Sequence, residues 1–326
     1  MHGNIKYIDQ EVYVQMRDIT SSYPYSMLTK YFPVTEFIKI KLSYDIEEYG
    51  DEPVDFLQLL ETKCCKLTCI YHHIEAMTDH SYESRSKVME YLPEENDPVY
   101  GLDNGRIRRA EYVKVMQTEL DYKIYQMLYH YESVEIVDIQ ISDRGPLPDF
   151  LLQCLIEDYK EKNNLKVQGL SGNPDYALKK ADVNTYFGML VKAIYQVNVG
   201  YDGGDWIDTT QSLTDIQMEL NDRFLSYDWG IWVCAHSRYK LIDMMMRVEA
   251  VGGKVIYGDT DSIKYIEDKF GRCAELFRWM NEKIREENKL NPLLQDEAFY
   301  GMLGRGIGEW DDELSNKLYN KPFPVK

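Results

Sequence analysis

The chain lacks any apolar run long enough to cross a membrane, and its first residues show no signal-peptide pattern. Its six cysteines, at positions 64, 65, 69, 154, 234 and 273, lack the spacing of a secreted disulfide framework. These absences favour a protein of the reducing cytoplasm. Internal repeats and low-complexity segments are also missing, while 44% hydrophobic and 13% aromatic residues indicate a globular chain.

Basic residues are fewer than acidic ones. The chain has 37 Lys and Arg and 55 Asp and Glu, which gives a formal net charge of −18. Nucleic-acid binding depends largely on neutralising phosphates, so this balance predicts weak, salt-sensitive affinity through a narrow basic cleft on an acidic body. Part of the acidic excess lies in residues 45–55, 94–97 and 309–313, which we expect to form solvated loops.

The most informative segment is residues 254–265, in which Asp259 and Asp261 stand between two runs of β-branched and aromatic residues. This pattern predicts a hairpin with both acids at its tip. An extended chain would place the two carboxylates on the same side, where they repel each other unless a cation lies between them. Such oxygen ligands suit Mg²⁺, and the alternative is a polar hairpin that binds no metal.

A second carboxylate segment lies near the start of the chain. Residues 12–16 alternate apolar and polar side chains and lead into Asp18, which predicts a strand that ends in an acid. Pro24 predicts a turn after the strand, with a short helix from Tyr25. Successive backbone N–H groups in such a turn can bind phosphate oxygens, with Tyr23 beside them. The alternative is a strand end followed by a buried tyrosine.

A third segment, residues 173–192, has helical periodicity and begins with Asn173-Pro174, which is a helix-start signal. Lys180, Asn184 and Phe187 are spaced by four and three residues and therefore share one face of the helix. A cation, an amide and a flat ring match the phosphates, polar edges and stacking surface of a nucleoside triphosphate. The alternative is an amphipathic helix with Phe187 in the core and Lys180 in water.

Local signals predict further elements. They are a hairpin turn at Asn104-Gly105, a helix over 122–131 with Thr118 as N-cap, a strand over 133–141 and a helix over 148–163. Residues 63–74 also read as a strand. That strand would carry three cysteines and two histidines, and a structural zinc site there is the less favoured alternative because no second Cys or His pair follows at a suitable spacing.

The three carboxylate and helix segments together resemble motifs A, B and C of family B DNA polymerases, and in particular the protein-primed branch of phages, viruses and linear plasmids. Residues 18–24 resemble motif A, Asp-x-x-Ser-Leu-Tyr-Pro, with Ser22 in place of Leu. Residues 257–262 match motif C, Tyr-x-Asp-Thr-Asp-Ser, in full.

Residues 180–188 resemble motif B, Lys-x-x-x-Asn-Ser-x-Tyr-Gly, with Thr185 for Ser and Phe187 for Tyr. The order of the three motifs is that of the family. Residues 103–106 and 224–238 also look like segments of the same branch, so the resemblance extends from about residue 10 to about residue 315.

The resemblance implies an α+β fold in which a polymerase palm, an antiparallel sheet with flanking helices, carries a helical-hairpin fingers insertion. The implied division is palm at 1–146, fingers at 147–195, palm at 196–315 and a tail or truncated thumb at 316–326. Family members also carry an exonuclease domain before motif A and a thumb after motif C. We therefore expect a palm-and-fingers piece, completed by a separate exonuclease or thumb chain.

The implied reaction is deoxynucleotidyl transfer from a deoxynucleoside triphosphate to a primer hydroxyl on a DNA template. In this family two Mg²⁺ ions ~3.5–4 Å apart, for which Mn²⁺ can substitute, support that transfer. By resemblance, Asp18 and Asp261 are the primary metal ligands, Asp259 is an auxiliary ligand and the Ile19 carbonyl completes the set. Lys180 is implied both as a phosphate ligand and as a proton donor to the leaving group.

The implied nucleotide-binding residues surround the triphosphate, the sugar and the nascent base pair. They are the backbone amides of Ser21, Ser22 and Tyr23, the side chains of Lys180 and, as a weaker candidate, Lys166, and the base-pair side formed by Asn184, Phe187 and Gly188. The Tyr23 ring is expected under the sugar, where it would exclude a 2′-hydroxyl.

The protein-primed branch further implies a terminal-protein primer, contacted by residues 106–146. Two other functions remain open from the sequence. One is a non-catalytic or split polymerase subunit that needs a partner chain. The other is a different palm-fold nucleotidyl enzyme, such as a cyclase, in which the helix that carries Lys180 would have no templating role.

Overall fold

The structure is a computed structural model that describes residues 2–3, 11–12, 14–40, 56–79, 81–94, 101–192, 197–202, 204–210, 214, 218, 224–300, 306–312 and 323–324. Its strands are β1 His2–Gly3, β2 Glu11–Val12, β3 Gln15–Ile19, β4 Phe32–Pro33, β5 Ile38–Ile40, β6 Lys63–Ala76, β7 Glu90–Leu92, β8 Leu102–Asp103, β9 Arg106–Ile107, β10 Arg109–Thr118, β11 Tyr129–His130, β12 Ser133–Gly145, β13 Val197–Asp202, β14 Asp205–Thr210, β15 Lys254–Asp259, β16 Ser262–Ile266, β17 Trp310–Asp312 and β18 Phe323–Pro324. Its α-helices are α1 Ser22–Thr29, α2 Phe56–Thr62, α3 Glu119–Leu128, α4 Asp149–Val167, α5 Pro174–Leu190, α6 Tyr227–Ala250, α7 Arg272–Leu290 and α8 Glu297–Tyr300.

Two antiparallel sheets organise the described residues, which confirms the expected α+β class. The smaller sheet has the strand order β1-β15-β16-β3-β17. The larger sheet has the order β4-β12-β6-β10-β7, with β5 and β11 paired at its margins. Helix α6 contacts α1, α3, α5, β4, β15 and β16, and its Trp232 is fully buried. One long helix therefore packs against both sheets and joins their cores.

The local signals in the sequence place several elements correctly. Asn104 and Gly105 adopt φ angles of 47° and 77° between β8 and β9, as a two-residue turn requires. Thr118 caps α3, accepting a hydrogen bond from the Asp121 amide at 3.2 Å. The helix ends at Leu128, before the expected residue 131, because Tyr129 pairs with β6.

Two local expectations are wrong. The helix expected from Tyr25 already begins at Ser22, because Ser21 turns the chain with a φ of 54° and Pro24 fits the first helical turn, where its missing N–H has no intrahelical partner. The acidic run near residue 310 is also not a solvated loop. Glu309 is 3% exposed and Trp310–Asp312 forms β17, because this segment pairs with β3.

The cysteine-rich segment is a strand, as expected, and forms most of β6. Its three cysteines are buried, while His72 contacts Glu135 at 3.0 Å and His73 contacts Glu132 at 3.6 Å. Within the described residues these side chains do not converge on a common point where a metal ion could bind. Packing and surface ion pairs therefore account for them.

Membrane insertion finds no support among the described helices. None of them combines the length and the apolar character needed to cross a bilayer.

A buried carboxylate joins α3, α6 and the larger sheet. Glu119 is 1% exposed and accepts hydrogen bonds from the Cys65 amide at 2.9 Å, the Trp232 indole at 3.0 Å and the Arg144 guanidinium at 3.0 Å. Burial raises the pKa of Glu119, and the donated hydrogen bonds oppose that shift. The carboxylate thus satisfies three donors that converge from three elements.

We predict that Glu119→Ala lowers the free energy of unfolding by about 3–5 kcal/mol, because it leaves buried donors and the Arg144 charge without an acceptor. Urea denaturation followed by tryptophan fluorescence measures the loss. Glu90→Ala removes an exposed acceptor of Lys114 at 2.7 Å and of the Tyr112 hydroxyl at 3.2 Å, and as the matched control it should leave the midpoint nearly unchanged. Equal effects of the two substitutions would contradict this account of the core.

Candidate active site

The pairing of three strands brings carboxylates from distant parts of the chain together. In the smaller sheet β3 lies between β16 and β17, with Asp18 opposite Ser262 on one side and Asp311 on the other. The Ile19 amide donates to the Asp261 carbonyl at 2.8 Å. Asp18, Asp261 and Asp311 consequently line one cleft of about 400 Å³.

The hairpin between β15 and β16 carries the two acids of its motif in different environments. Thr260 has a φ of 54°, and the Asp261 amide donates to the Asp259 carbonyl at 2.6 Å, so the chain turns sharply at Thr260. The expectation that Asp259 and Asp261 share one side of an extended strand is therefore wrong. A positive φ at a β-branched residue is strained, and such strain is concentrated at functional sites.

Asp259 itself is exposed and accepts a hydrogen bond from the Tyr257 hydroxyl at 3.0 Å. It lines a second, larger cleft of about 800 Å³ together with Gly258, Thr260 and Tyr23. The turn therefore contributes one carboxylate to each cleft.

Asp311 was missed by the sequence reasoning, which assigned its segment to a loop. It is half-buried in β17, between buried Trp310 and half-buried Asp312. A three-residue strand is too short for alternation to reveal it. A tryptophan within an acidic run was the one available sign of a buried, paired segment.

The residues that lead into α1 border the same cleft. Ser21 lies in the left-handed region with φ 54° and ψ 59°, and no side chain caps the helix. Ile19, Thr20 and Ser21 line the cleft beside Asp18. A helix N-terminus presents unpaired N–H groups and the positive end of the helix dipole, which suit an anionic ligand.

Helices α4 and α5 place cations on the other wall of the cleft. Lys162, Lys166 and Lys180 all line it, as does Asn184. Lys180 and Lys166 are exposed, whereas Lys162 is only 8% exposed. Sequence reasoning identified the first two and missed Lys162, although its spacing from Leu155 and Tyr159 puts it on the buried face of α4.

Lys162 has an unusual environment for a cation. Its Nζ lies 3.5 Å from the Ser21 hydroxyl and 3.9 Å from the centre of the Tyr159 ring. Burial, together with the nearby charges of Lys166 and Lys180, lowers the pKa of Lys162 to about 8. Within the described part of the chain it forms no salt bridge, so its charge is available to a ligand in the cleft.

The predicted aromatic residues lie in direct contact. Tyr23 and Phe187 stack with ring centres 3.9 Å apart and an angle of 19° between the planes. Burial raises the pKa of Tyr23 to about 12, so its hydroxyl is neutral at physiological pH. Gly188 is exposed, and a Cβ at this position would meet nothing within 4 Å.

The structure thus distributes the sequence-predicted site residues unevenly. The smaller cleft is lined by Asp18, Ile19, Ser21, Lys166, Lys180, Asn184 and Asp261. The larger cleft is lined by Tyr23 and Asp259. Ser22, Phe187 and Gly188 line neither, although Phe187 contacts Tyr23.

The tightest cluster of potential metal ligands in the described residues lies elsewhere. Glu267, Asp268 and Cys273 bring their ligand atoms within 4.8 Å of one another. Glu267 accepts from the Cys273 amide at 2.9 Å, and Asp268 accepts from the Phe270 amide at 3.0 Å. These bonds order the start of α7, which gives the cluster a structural role.

Comparisons with known proteins show likeness of fold without likeness of sequence. No protein-family model and no curated protein matches the chain. Its fold is similar to Phi29 DNA polymerase complexed with primer-template DNA and incoming nucleotide substrates, with a TM-score of 0.59 and 14% identity over 95% of this chain and 44% of that one. It is also similar to Phi29 DNA polymerase complexed with single-stranded DNA, with a TM-score of 0.54 and 15% identity over 82% of this chain and 40% of that one. The chain therefore has a DNA polymerase-like fold and spans less than half the length of these neighbours.

The buried charge of Lys162 predicts a specific pH dependence of stability. A lysine whose pKa falls from 10.5 to about 8 on folding binds fewer protons in the native state between these pH values, so its contribution to stability rises with pH. Lys162→Met should therefore be more stable than the wild type near pH 7. At 1.36 kcal/mol per pKa unit, this advantage should shrink by roughly 3 kcal/mol by pH 10.5.

Urea denaturation of both proteins at several pH values between 7 and 10.5 measures this difference. The same change at Lys166, which is exposed on the same helix, is the matched control. A constant difference between Lys162→Met and the wild type across the range would contradict a buried charged amine at this position.

Proposed function

We propose that the chain is a template-directed DNA polymerase that transfers a deoxynucleotidyl group from a triphosphate to a primer hydroxyl. The observation that carries this proposal is the convergence of Asp18 and Asp261 on one cleft whose opposite wall holds Lys162 and Lys180. Carboxylates facing ammonium groups suit a metal–triphosphate complex, which presents both charges. The likeness of fold to a DNA polymerase bound to primer-template DNA supports the same function.

In this proposal both sheets with their flanking helices form the palm, the smaller sheet carries its metal-binding carboxylates, and α4 with α5 forms the fingers. The two helices are joined by a short connection and pack against each other and against α1, which carries the first motif. The proposed division of the chain remains palm at 1–146 and 196–315, fingers at 147–195 and a terminal tail at 316–326, much of which lies outside the described residues. A separate exonuclease or thumb chain is a further proposed partner.

The donor set of the cleft fits divalent cations. Asp18 and Asp261 are half-buried and supply hard oxygen ligands beside the Ile19 backbone, which are the ligand types that Mg²⁺ prefers. Asp18, Asp261 and the Ile19 carbonyl would hold the ions, with Asp259 as an auxiliary ligand across the turn. Two such ions supply charge neutralisation at the reacting phosphate and a lower pKa for the attacking hydroxyl.

The remaining cleft residues would bind and orient the triphosphate. The amides of Ser21, Ser22 and Tyr23 present the N-terminus of α1 to the phosphates. Lys180, exposed on α5, would neutralise the outer phosphates and donate a proton to the departing pyrophosphate. Lys162 would contact the phosphates beside Ser21, because its amine lies 3.5 Å from the Ser21 hydroxyl.

The aromatic pair would control where the base and sugar sit. Tyr23 and Phe187 are in van der Waals contact, so a base cannot enter between them without displacing one ring. With Tyr23 under the sugar and Phe187 and Gly188 beside the base pair, opening of this stack would accompany nucleotide binding. Asn184, exposed on the same helix face, would keep the base-pair side polar.

The DNA would lie along the larger cleft. This cleft of about 800 Å³ contains Lys87, Arg106 and Arg238 beside Tyr23 and Asp259. Glu83 and Asp121 also line it, and Asp121 forms an ion pair with Arg238 at 2.9 Å. Its few cations on a chain of net charge −18 favour salt-sensitive DNA binding. Residues 106–146, which include β10, α3 and all of β12, are the proposed contact for a terminal-protein primer.

We predict that Asp261→Asn abolishes Mg²⁺-dependent extension of a labelled primer-template, with a rate loss of at least about a thousandfold, or about 4 kcal/mol in activation free energy. The loss follows from removing a ligand charge at the reacting centre. Primer extension resolved on a denaturing gel measures it. Transfer of label to a protein hydroxyl in place of the oligonucleotide would test the protein-primed mode.

Asp312→Asn is the matched control. Asp312 follows the cleft residue of β17 but forms an ion pair with Arg17 at 3.3 Å and does not line the cleft. It should retain extension at close to the wild-type rate. Extension by Asp261→Asn at the same rate would end the proposal, and no extension by the wild type under any divalent ion would favour the non-catalytic subunit.

A further inference from the structure

We propose that Asp311 supplies a third carboxylate to the divalent-cation site of the smaller cleft, an inference that rests on the proposed function. No motif of the sequence includes this residue. Its position follows from the short edge strand β17, which places it beside Asp18 on the side opposite the hairpin that carries Asp261.

The register of the sheet determines the geometry. Asp311 is the direct partner of Asp18 in the antiparallel β3–β17 pair. Directly opposed residues point to the same face of a sheet, with Cβ atoms roughly 4.5–5.5 Å apart, and like charges in such a pair destabilise it. Both side chains are half-buried and both line the cleft, so a cation between them would remove this repulsion.

The neighbours of Asp311 are neutralised by side chains of the chain itself. Buried Glu309 forms an ion pair with Arg285, with distances of 2.9 and 2.6 Å, and Asp312 pairs with Arg17. Asp311 also interacts within the protein, and it lines the cleft. Among the three acids of this segment, it is the one directed towards the carboxylates of the other strands.

Several contacts fix β17 in this register. Asn281 of α7 donates to the Trp310 carbonyl at 2.8 Å and accepts from the Trp310 amide at 2.7 Å. Lys240 of α6 donates to the Gly308 carbonyl at 2.5 Å. Gly308 has a φ of 80°, which favours glycine, and the Tyr25 ring occupies the space that a Cβ would need. The backbone that carries Asp311 is therefore held from two helices.

A second observation points to a ligand in the same cleft. Lys162 is 8% exposed, lines the cleft and makes no salt bridge within the described residues. A ligand that satisfies this ammonium must be anionic, whereas a ligand that satisfies Asp18, Asp261 and Asp311 must be cationic. A complex of divalent cations with a phosphate chain meets both demands, and a third carboxylate would strengthen its cationic half.

The test uses the full chain, with Mn²⁺ alone as the probe and the electron paramagnetic resonance signal of free Mn²⁺ as the measure of binding. Asp311→Asn should raise the dissociation constant about tenfold or more, in line with the loss of a charged contributor to a metal site. Asp312→Asn, one residue further along the same strand, should remain within about twofold of the wild type. Asp261→Asn marks the loss expected for a primary ligand.

Thermal unfolding provides a readout that a purely structural role would not give. In EDTA, Asp311→Asn should melt at or above the wild-type temperature, because it relieves repulsion between opposed carboxylates. On addition of Mn²⁺ it should gain less than the wild type, because linkage to a weaker ligand stabilises less. A variant that melts below the wild type in EDTA and gains the full Mn²⁺ shift would overturn the inference.

The outcomes separate this inference from the proposed function. Unchanged Mn²⁺ affinity in Asp311→Asn, with binding lost in Asp261→Asn, removes Asp311 from the site and leaves the polymerase proposal in place. Mn²⁺ binding that depends on Asp311 without primer extension by the wild type supports the ligand and ends the polymerase proposal. A wild type that binds no Mn²⁺ overturns both.

Discussion

The candidate site depends on the insertion of one short strand between two segments from the other end of the chain. β3 pairs with β16 and β17, and this register alone places Asp18 beside Asp261 and Asp311. The alignment concentrates negative charge at one edge of the sheet, which is unfavourable without a cation. The sheet is nevertheless well supported, because Ile19, Ile263 and Trp310 are buried on it or beside it. Burial of these apolar side chains offsets the repulsion and keeps the carboxylates together.

The opposite wall of the cleft also holds charge in an unfavourable position, but this charge is positive. Lys162 is held in a buried position by its helix and by the Tyr159 ring, without a carboxylate partner among the described residues. A buried charge without an oppositely charged partner lowers stability. Carboxylates and ammonium groups nevertheless line the same cleft of about 400 Å³. Residues with a positive φ border both clefts, Ser21 at the smaller one and Thr260 at the larger one, as is common where structure serves binding.

The sequence predicted those parts of the fold that depend on local chemistry. The Asn104-Gly105 turn, the Thr118 cap and the hairpin at Asp259 each follow from residue types within a few positions. Asp311 did not follow, because it belongs to a three-residue strand identified only by its distant partner β3. Lys162 was missed although its spacing from Leu155 and Tyr159 placed it on the buried face of α4, because a lysine on that face is unexpected. Long-range register and tertiary burial leave little trace in a single sequence.

The turn at Thr260 links two clefts that would otherwise be independent. Asp261 borders the smaller cleft with the lysines, whereas Asp259 borders the larger one with Tyr23, whose ring contacts Phe187 of α5. An extended tip would have directed both acids to one side of the hairpin. The Tyr23–Phe187 stack joins α1 to α5, and Tyr23 and Thr260 line the same larger cleft. A single strained turn therefore supplies an acid to each of the two clefts.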